Sequence, residues 1–183
     1  MNTNRKRFLL ILLVPLLILL GMVIKPFSAN MFGEKVVLET IPIDPTDLFY
    51  GDYMSLQLAI SEVPKDLLSE SLVKELNNHN NDNYSLFSKS LTVYTALEKK
   101  GDIYSAKEVS LEKPENGLYL KGKIYDYSSM NEEPTFYIDY GINRYYVEEN
   151  TGKELEQEAQ IGNVHVSLKV MNGYGLIEEL HFK

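Results

Sequence analysis

The strongest constraint on this chain is an uninterrupted apolar run near its amino terminus. Its 17 residues, Phe8 to Ile24, contain no charged side chain. As a helix this run would be about 26 Å long, close to the minimum for crossing a hydrocarbon core of ~30 Å. Only a helix satisfies its own backbone hydrogen bonds in lipid, and such helices tolerate an internal proline, here Pro15. Because Lys25 can snorkel to the interface, we predict a membrane-spanning helix over residues 8–25.

The charges around this run indicate its orientation. Arg5, Lys6 and Arg7 make residues 1–7 a basic tail, and an excess of positive charge marks the cytoplasmic side. All 26 acidic residues but only 14 of the 18 basic ones follow Lys25, which leaves the outer part with a formal charge of −12. That charge argues against a nucleic-acid partner. We expect a single-pass cell-membrane protein with a juxtamembrane linker over residues 26–34 and an extracytoplasmic domain over residues 35–183.

A retained anchor is favoured over a cleaved signal peptide. The nearest small-residue site, at residues 27–29, has the bulky Phe27 where a cleavage site prefers a small residue. The chain also contains no cysteine, which excludes disulfides, cysteine-ligated metals and attachment of a lipid through cysteine. The bilayer is therefore the expected partner of the amino-terminal helix.

Residues 35–183 alternate mostly between apolar and polar side chains, as half-buried strands do. Two helical patterns interrupt them, Pro64–Leu76 and Thr151–Ala159, and a solvated loop is expected over Asn77–Asn83. We therefore predict a mainly β (α+β) fold: one β-rich domain with a helical insertion. Strands are expected at Lys35–Ile41, Tyr53–Ser61, Ser90–Glu98, Ile103–Leu111, Gly117–Tyr125, Thr135–Val147 (broken at Gly141), Val164–Val170 and Gly175–Phe182. Two hairpins are expected: residues 99–102 join the third and fourth of these strands, and Asn172-Gly173, a strong hairpin signal, joins the last two.

Two segments carry a family resemblance. Residues 51–60 read GDYMSLQLAI after DPTDLFY, and residues 140–156 read YGINRYYVEENTGKELE. Together they resemble a bacterial membrane-anchored family named for its motif GDYxxLxYEI, although Leu58 and Ala59 depart from the motif. The resemblance implies a multi-pass membrane protein as partner and supplies no reaction. The motif positions that match are Gly51, Asp52, Tyr53, Leu56, Tyr140, Gly141 and Arg144.

The acidic residues of the first segment have two interpretations. Asp44, Asp47 and Asp52 are typical turn and capping residues beside Pro45 and Gly51, and this structural role is favoured. Alternatively, the three carboxylates converge to bind a cation or a polar ligand, although their spacing matches no calcium loop. We expect no metal ion and no cofactor. The candidate binding residues are Asp44, Asp47, Asp52, Tyr53, Arg144 and Glu149.

Three functions compete. A non-enzymatic binding or interaction module at the cell envelope is favoured, because the sequence offers no catalytic constellation: His79, His165 and His181 stand singly. An envelope-acting hydrolase with a carboxylate-based site would use Asp52, Glu149 and Arg144. A degenerate signal-peptidase-like domain would lack its nucleophile, since Pro42 occupies that position. A band of tyrosines, including Tyr125, Tyr137 and Tyr140, suits either sheet packing or stacking on a ligand.

The predicted orientation can be tested with reporters fused after Lys183. Because the basic tail stays inside, alkaline phosphatase at that site should be active in intact cells, and a fluorescent protein that matures only in the cytoplasm should stay dark. The same fusions without residues 1–25 should show the opposite signals. A fluorescent, phosphatase-inactive full-length fusion would contradict the orientation.

Overall fold

The computed structural model describes residues 3–41, 53–80, 90–127, 135–146 and 164–182. Within these ranges the fold is mainly β, as predicted. Two 3-10 turns, Ala59–Ser61 and Lys65–Leu67, accompany the regular elements. In chain order these elements are α1 (Thr3–Phe32), β1 (Glu34–Ile41), β2 (Tyr53–Ser55), β3 (Gln57–Leu58), β4 (Glu62–Pro64), α2 (Glu70–Asn80), β5 (Leu91–Lys100), β6 (Ile103–Ser110), β7 (Tyr119–Tyr127), β8 (Thr135–Asp139), β9 (Arg144–Tyr146), β10 (Val164–Met171) and β11 (Tyr174–Phe182).

The strands form a four-stranded, a five-stranded and a two-stranded sheet. Their orders are β11-β10-β1-β3, β4-β8-β7-β5-β6 and β2-β9. The strand pairs between named strands are antiparallel, so one face of each sheet can be buried while the other meets solvent. In β1 the alternation places Val36, Leu38 and Thr40 inward, and the hydroxyl of the buried Thr40 donates to the carbonyl of Val164 at 2.7 Å.

The core consists of two clusters that share the five-stranded sheet. One cluster packs Leu97 and Leu120 against inward residues of the four-stranded sheet, such as Leu168. The other packs residues such as Ile138 beneath Leu72 of α2. Ala106 and Tyr140 border both clusters, so they lie at the junction of the two halves of the core.

Helix α1 runs farther than the apolar run alone predicts. It continues through Phe32, so most of the segment assigned as a linker is helical, and the amide of Gly33 donates to the carbonyl of Ala29 at 2.8 Å. Its stretch Leu10–Phe32 is long and apolar enough to cross a membrane. Its last turns contact β10 and β11, where Ala29 is fully buried.

The hairpin predicted at Asn172-Gly173 is confirmed. Met171 pairs with Tyr174, and the two turn residues have φ of 50° and 80°. Two positive φ values in a two-residue turn match the right-handed twist of the strands it joins. The hairpin of β5 and β6 is also confirmed, with its turn shortened to Gly101 and Asp102 because the strands pair as far as Lys100 and Ile103.

Three local predictions need correction. Helix α2 begins at Glu70 rather than Pro64, because Ser69 is the better cap: its Oγ accepts from the amide of Leu72 at 3.4 Å. The same helix continues to Asn80, into the segment expected to be a loop. The strand expected over Tyr53–Ser61 is divided, because Tyr53–Ser55 pairs with β9, Gln57–Leu58 pairs with β1, and Ala59–Ser61 forms a 3-10 turn. The helix expected over Thr151–Ala159 lies outside the described residues.

Two alanine substitutions should separate backbone strain from packing. Gly101 and Gly173 both have positive φ, which costs an alanine about 1–2 kcal/mol. A Cβ at Gly101 meets open space, whereas one at Gly173 would lie 2.6 Å from Cε2 of Tyr119. Gly173→Ala should therefore lower the free energy of unfolding by roughly 1–3 kcal/mol more than Gly101→Ala does. Thermal unfolding of the full chain in detergent measures both, and equal losses would contradict the packing argument.

Candidate functional site

The two segments that carry the family resemblance pair with each other. Strands β2 and β9 form an antiparallel ladder in which Tyr53 is opposite Tyr146 and Ser55 is opposite Arg144. The amide of Leu56 extends the ladder by donating to the carbonyl of Asn143 at 3.0 Å. Segments that lie about 90 residues apart in the sequence thus form one structural unit, which we call the motif ladder.

Apolar side chains fix the motif ladder to the core. Leu56 and Ile142 are 4% and 6% exposed and belong to the cluster beneath the four-stranded sheet. Tyr145 packs against the same cluster. Between these anchors, Asn143 and Arg144 are exposed to solvent. Along this segment, buried residues that hold the ladder therefore flank residues that face solvent.

Tyr140 connects the motif ladder with both halves of the core. Its hydroxyl donates to the carbonyl of Ile60 at 3.0 Å and lies 2.8 Å from Oγ1 of the buried Thr95. A phenol has one proton, so Thr95 is the donor in the second bond. Part of the tyrosine ring is exposed, but its hydroxyl lies in the interior, and burial raises the pKa of Tyr140 well above its ordinary value.

An open pocket of about 320 Å³ begins where β3 and β4 meet β8. Its lining combines a carboxylate, an amide, a hydroxyl and two aromatic rings. The amide of Gln57 donates to Oε1 of Glu62 at 2.7 Å, which fixes the carboxylate. Burial, followed by the charges of Asp139 and Glu62, raises the pKa of Tyr137. The lining residues are Gln57, Glu62, Thr135, Phe136 and Tyr137.

A protein-family model described as GDYXXLXY protein matches residues 15–180. The chain belongs to the GDYXXLXY family. The resemblance found in the sequence is thereby confirmed, and the match covers both segments of the motif ladder. No curated protein and no solved structure matches the chain.

In this GDYXXLXY chain the structure describes two of the six predicted binding residues, Tyr53 and Arg144. Tyr53 and Arg144 lie on facing strands of the motif ladder, two register positions apart. Arg144 is exposed and takes part in an interaction. The remaining candidates, together with Gly51 of the motif, lie outside the described residues, so the cation-binding hypothesis stays a prediction. These are Asp44, Asp47, Asp52 and Glu149.

The pocket residues were not found by sequence reasoning, except that Tyr137 belongs to the tyrosine band. Glu62 and Tyr137 are cross-strand partners in β4 and β8, but they lie 75 positions apart in the chain. A single sequence contains no signal for that pairing, because any two strands of alternating pattern satisfy it equally well.

Among the residues that the structure describes in this GDYXXLXY chain, a serine, a histidine and a carboxylate lie together at Ser167, His181 and Glu179, but their geometry is not that of a catalytic relay. Oγ of Ser167 lies 2.7 Å from Nε2 of His181, and Oε2 of Glu179 lies 3.8 Å from the same nitrogen. A relay needs the serine and the carboxylate on different ring nitrogens. Ser167 is also fully buried, out of reach of a substrate. The described residues contain no group of three or more metal-ligating side chains placed to hold an ion.

Replacing Tyr140 by phenylalanine should destabilise the fold measurably. The substitution leaves the carbonyl of Ile60 and the hydroxyl of Thr95 without their partner, at a cost of about 1–3 kcal/mol in the free energy of unfolding. Tyr125→Phe is the matched control, because Tyr125 is 42% exposed and its loss should change stability by less than about 0.5 kcal/mol. Thermal unfolding of the full chain near pH 7 measures both variants.

The same pair of variants tests the raised pKa of Tyr140. The unfolded chain releases the phenol proton near pH ~10, whereas the folded chain retains it. The associated stability is therefore fully present below about pH 10 and is lost as pH rises further, at up to about 1.4 kcal/mol per pH unit. Tyr140→Phe should lose less stability than the parent chain and Tyr125→Phe above this pH. Parallel pH curves for all three proteins would contradict the interpretation.

Proposed function

We propose that this GDYXXLXY protein is a membrane-anchored, non-enzymatic binding module. Helix α1 holds it in the cell membrane, with residues 1–7 in the cytoplasm and the β-rich domain outside. The domain receives a cationic side chain of another envelope protein in the pocket beside the motif ladder. An extracytoplasmic loop of a multi-pass membrane protein is the partner that fits the family resemblance.

One observation carries the proposal: the pocket and the motif ladder lie together, at the end of β1 opposite to α1. Strand β1 starts at Glu34, two residues after α1, and ends at Ile41, whose cross-strand partner is Gln57 of the pocket. The seven residue-to-residue steps from Glu34 to Ile41 cover about 24 Å. An anchor at one end and a lined pocket at the other are the arrangement expected of a tethered receptor surface.

The lining of the pocket favours a cationic group. Glu62 supplies a carboxylate, and Nε2 of Gln57 donates to its Oε1 at 2.7 Å. Because this bond orients the carboxylate, less side-chain entropy is lost when a cation binds. Tyr137, the cross-strand partner of Glu62, lines the same pocket, and an aromatic ring next to a carboxylate can add cation–π attraction. The formal charge of −12 after Lys25 adds long-range attraction for a basic partner.

Photo-cross-linking in intact cells tests the proposal. A photoreactive phenylalanine analogue at Thr135, which lines the pocket, should form a discrete protein adduct. Glu62→Gln in the same chain should reduce the adduct strongly, because a charged hydrogen bond is worth about 1.5–3 kcal/mol, roughly tenfold or more in affinity. Quantitative mass spectrometry of the adduct measures the change.

Two controls make this experiment decisive. The analogue at Lys107, an exposed position on β6 at the opposite edge of the five-stranded sheet, should not give the adduct. Glu108→Gln, which removes an exposed carboxylate from that same edge, should leave the Thr135 adduct unchanged. An adduct that resists Glu62→Gln, or a full chain that turns over an envelope substrate and forms no adduct, would defeat the proposal.

A further inference from the structure

Helix α1 is joined to the sheet by one residue and is packed against it. The amide of Gly33 closes the last turn on Ala29, and a Cβ at Gly33 would lie 3.1 Å from Cβ of Lys169 in β10. Ala29 is fully buried, and Pro26 and Ser28 are half-buried, because this side of the helix contacts β10 and β11. The last two turns of α1 and the end of the β10–β11 hairpin therefore lie at the same level along the axis of α1.

Other side chains in these turns are apolar and exposed. Phe27, Met31 and Phe32 are 59%, 60% and 75% exposed, although they follow Lys25. The run that ends at Ile24 spans about 26 Å, short of a hydrocarbon core of ~30 Å, whereas the 23 residues Leu10–Phe32 span about 35 Å. Bilayer that extends to Phe32 would bury these side chains, with the Lys25 ammonium snorkelling to the headgroups.

The hairpin end then meets the bilayer surface. Glu34, the first residue of β1, pairs with Val170, and Val170 pairs with Gly175. The four residues Met171–Tyr174 lie one step farther toward the membrane side. Tyr174 is 39% exposed, and tyrosine is the type of side chain that is enriched at the level of lipid headgroups.

Basic side chains accompany this end of the acidic domain, beside the exposed carboxylate of Glu34. The amide of Lys121 donates to the carbonyl of Gly173 at 2.9 Å, and the ammonium of Lys113 lies 5.4 Å from the centre of the Tyr119 ring, which packs on Gly173. Both lysine side chains are exposed. Lys35 and Lys169 add two more charges, which Glu178 shares at 3.4 and 3.9 Å. Lysines near a surface of anionic lipid are attracted to it, and each further lysine adds to the attraction.

We propose that the hairpin end Met171–Tyr174, flanked by Lys113 and Lys121, is a second membrane-contact surface that lies among the headgroups of anionic lipids. The inference rests on the proposed anchoring by α1 and adds a lipid-binding face to the domain itself. Helix and hairpin together hold the sheet in one orientation against the membrane.

The absence of tryptophan from the sequence allows a direct test. Full-length Tyr174→Trp, reconstituted in vesicles of phosphatidylcholine and phosphatidylglycerol, carries a single indole. We expect its emission to shift to the blue and to be quenched by lipids brominated near the headgroup end of their acyl chains. Tyr125→Trp is the matched control: Tyr125 is 42% exposed and lies five residues beyond Leu120 on β7, about 17 Å farther from the hairpin turn. Its emission should stay unquenched.

Leu20→Trp separates failure of the anchor from failure of the inference. This position lies within Leu10–Phe32, and its indole should be quenched by deeply brominated lipid if α1 spans the bilayer. Quenching at Leu20→Trp without quenching at Tyr174→Trp would overturn the inference and leave the anchor intact. No quenching at Leu20→Trp would overturn both. Equal quenching at Tyr174→Trp and Tyr125→Trp would indicate unspecific adsorption and would overturn the inference. A blue shift at Tyr174→Trp that depends on protein concentration, without quenching by brominated lipid, would assign the surface to a second copy of the chain and would also overturn the inference.

Discussion

The two hydrogen bonds of the Tyr140 hydroxyl are the contacts on which most of the architecture depends. The hydroxyl lies where the two core clusters meet, and it ties the carbonyl of Ile60, the last residue of the first family segment, to Thr95 on β5 of the five-stranded sheet. Polar groups buried without partners cost more than an ordinary hydrogen bond gains, so the three groups must be brought together or all remain in water. Closing this junction brings β2 and β9 side by side, and with them the two segments that identify the family.

Both the motif ladder and the pocket follow from that junction. Leu56 and Ile142 are buried at either side of the ladder, so the residues between them can face solvent without weakening the core. Gln57 follows the last residue of β2 by two positions and lines the pocket, where it orients Glu62. The described part of the family motif is therefore partly structural: its buried positions hold the ladder in place, and exposed residues stand next to them along the chain.

The sequence predicts what short-range chemistry determines. Alternating side chains, the Asn172-Gly173 turn and the apolar run are each encoded within a few residues, and the mainly β class, both predicted hairpins and the membrane-competent helix agree with the structure. Pairings between distant strands follow from register, which alternation leaves open, so the ladder of β2 with β9 and the approach of Glu62 to Tyr137 were not predictable. The start of α2 at Glu70, after the cap Ser69, was missed because Pro64 is also a favourable first residue of a helix.

The short connection between α1 and β1 links the two ends of the molecule mechanically. A flexible linker would let the domain tumble above the bilayer and would spread its pocket over many orientations, whereas one residue and a packed helix end allow few. Strand β1 then runs from the membrane side at Glu34 to the pocket side at Ile41 as part of one sheet. In the proposed arrangement, a partner in the same membrane would meet a pocket already held in a set direction, so less orientational entropy would be lost on binding. The proposal then requires the partner's cationic group to reach a pocket that lies about 24 Å along β1 from Glu34.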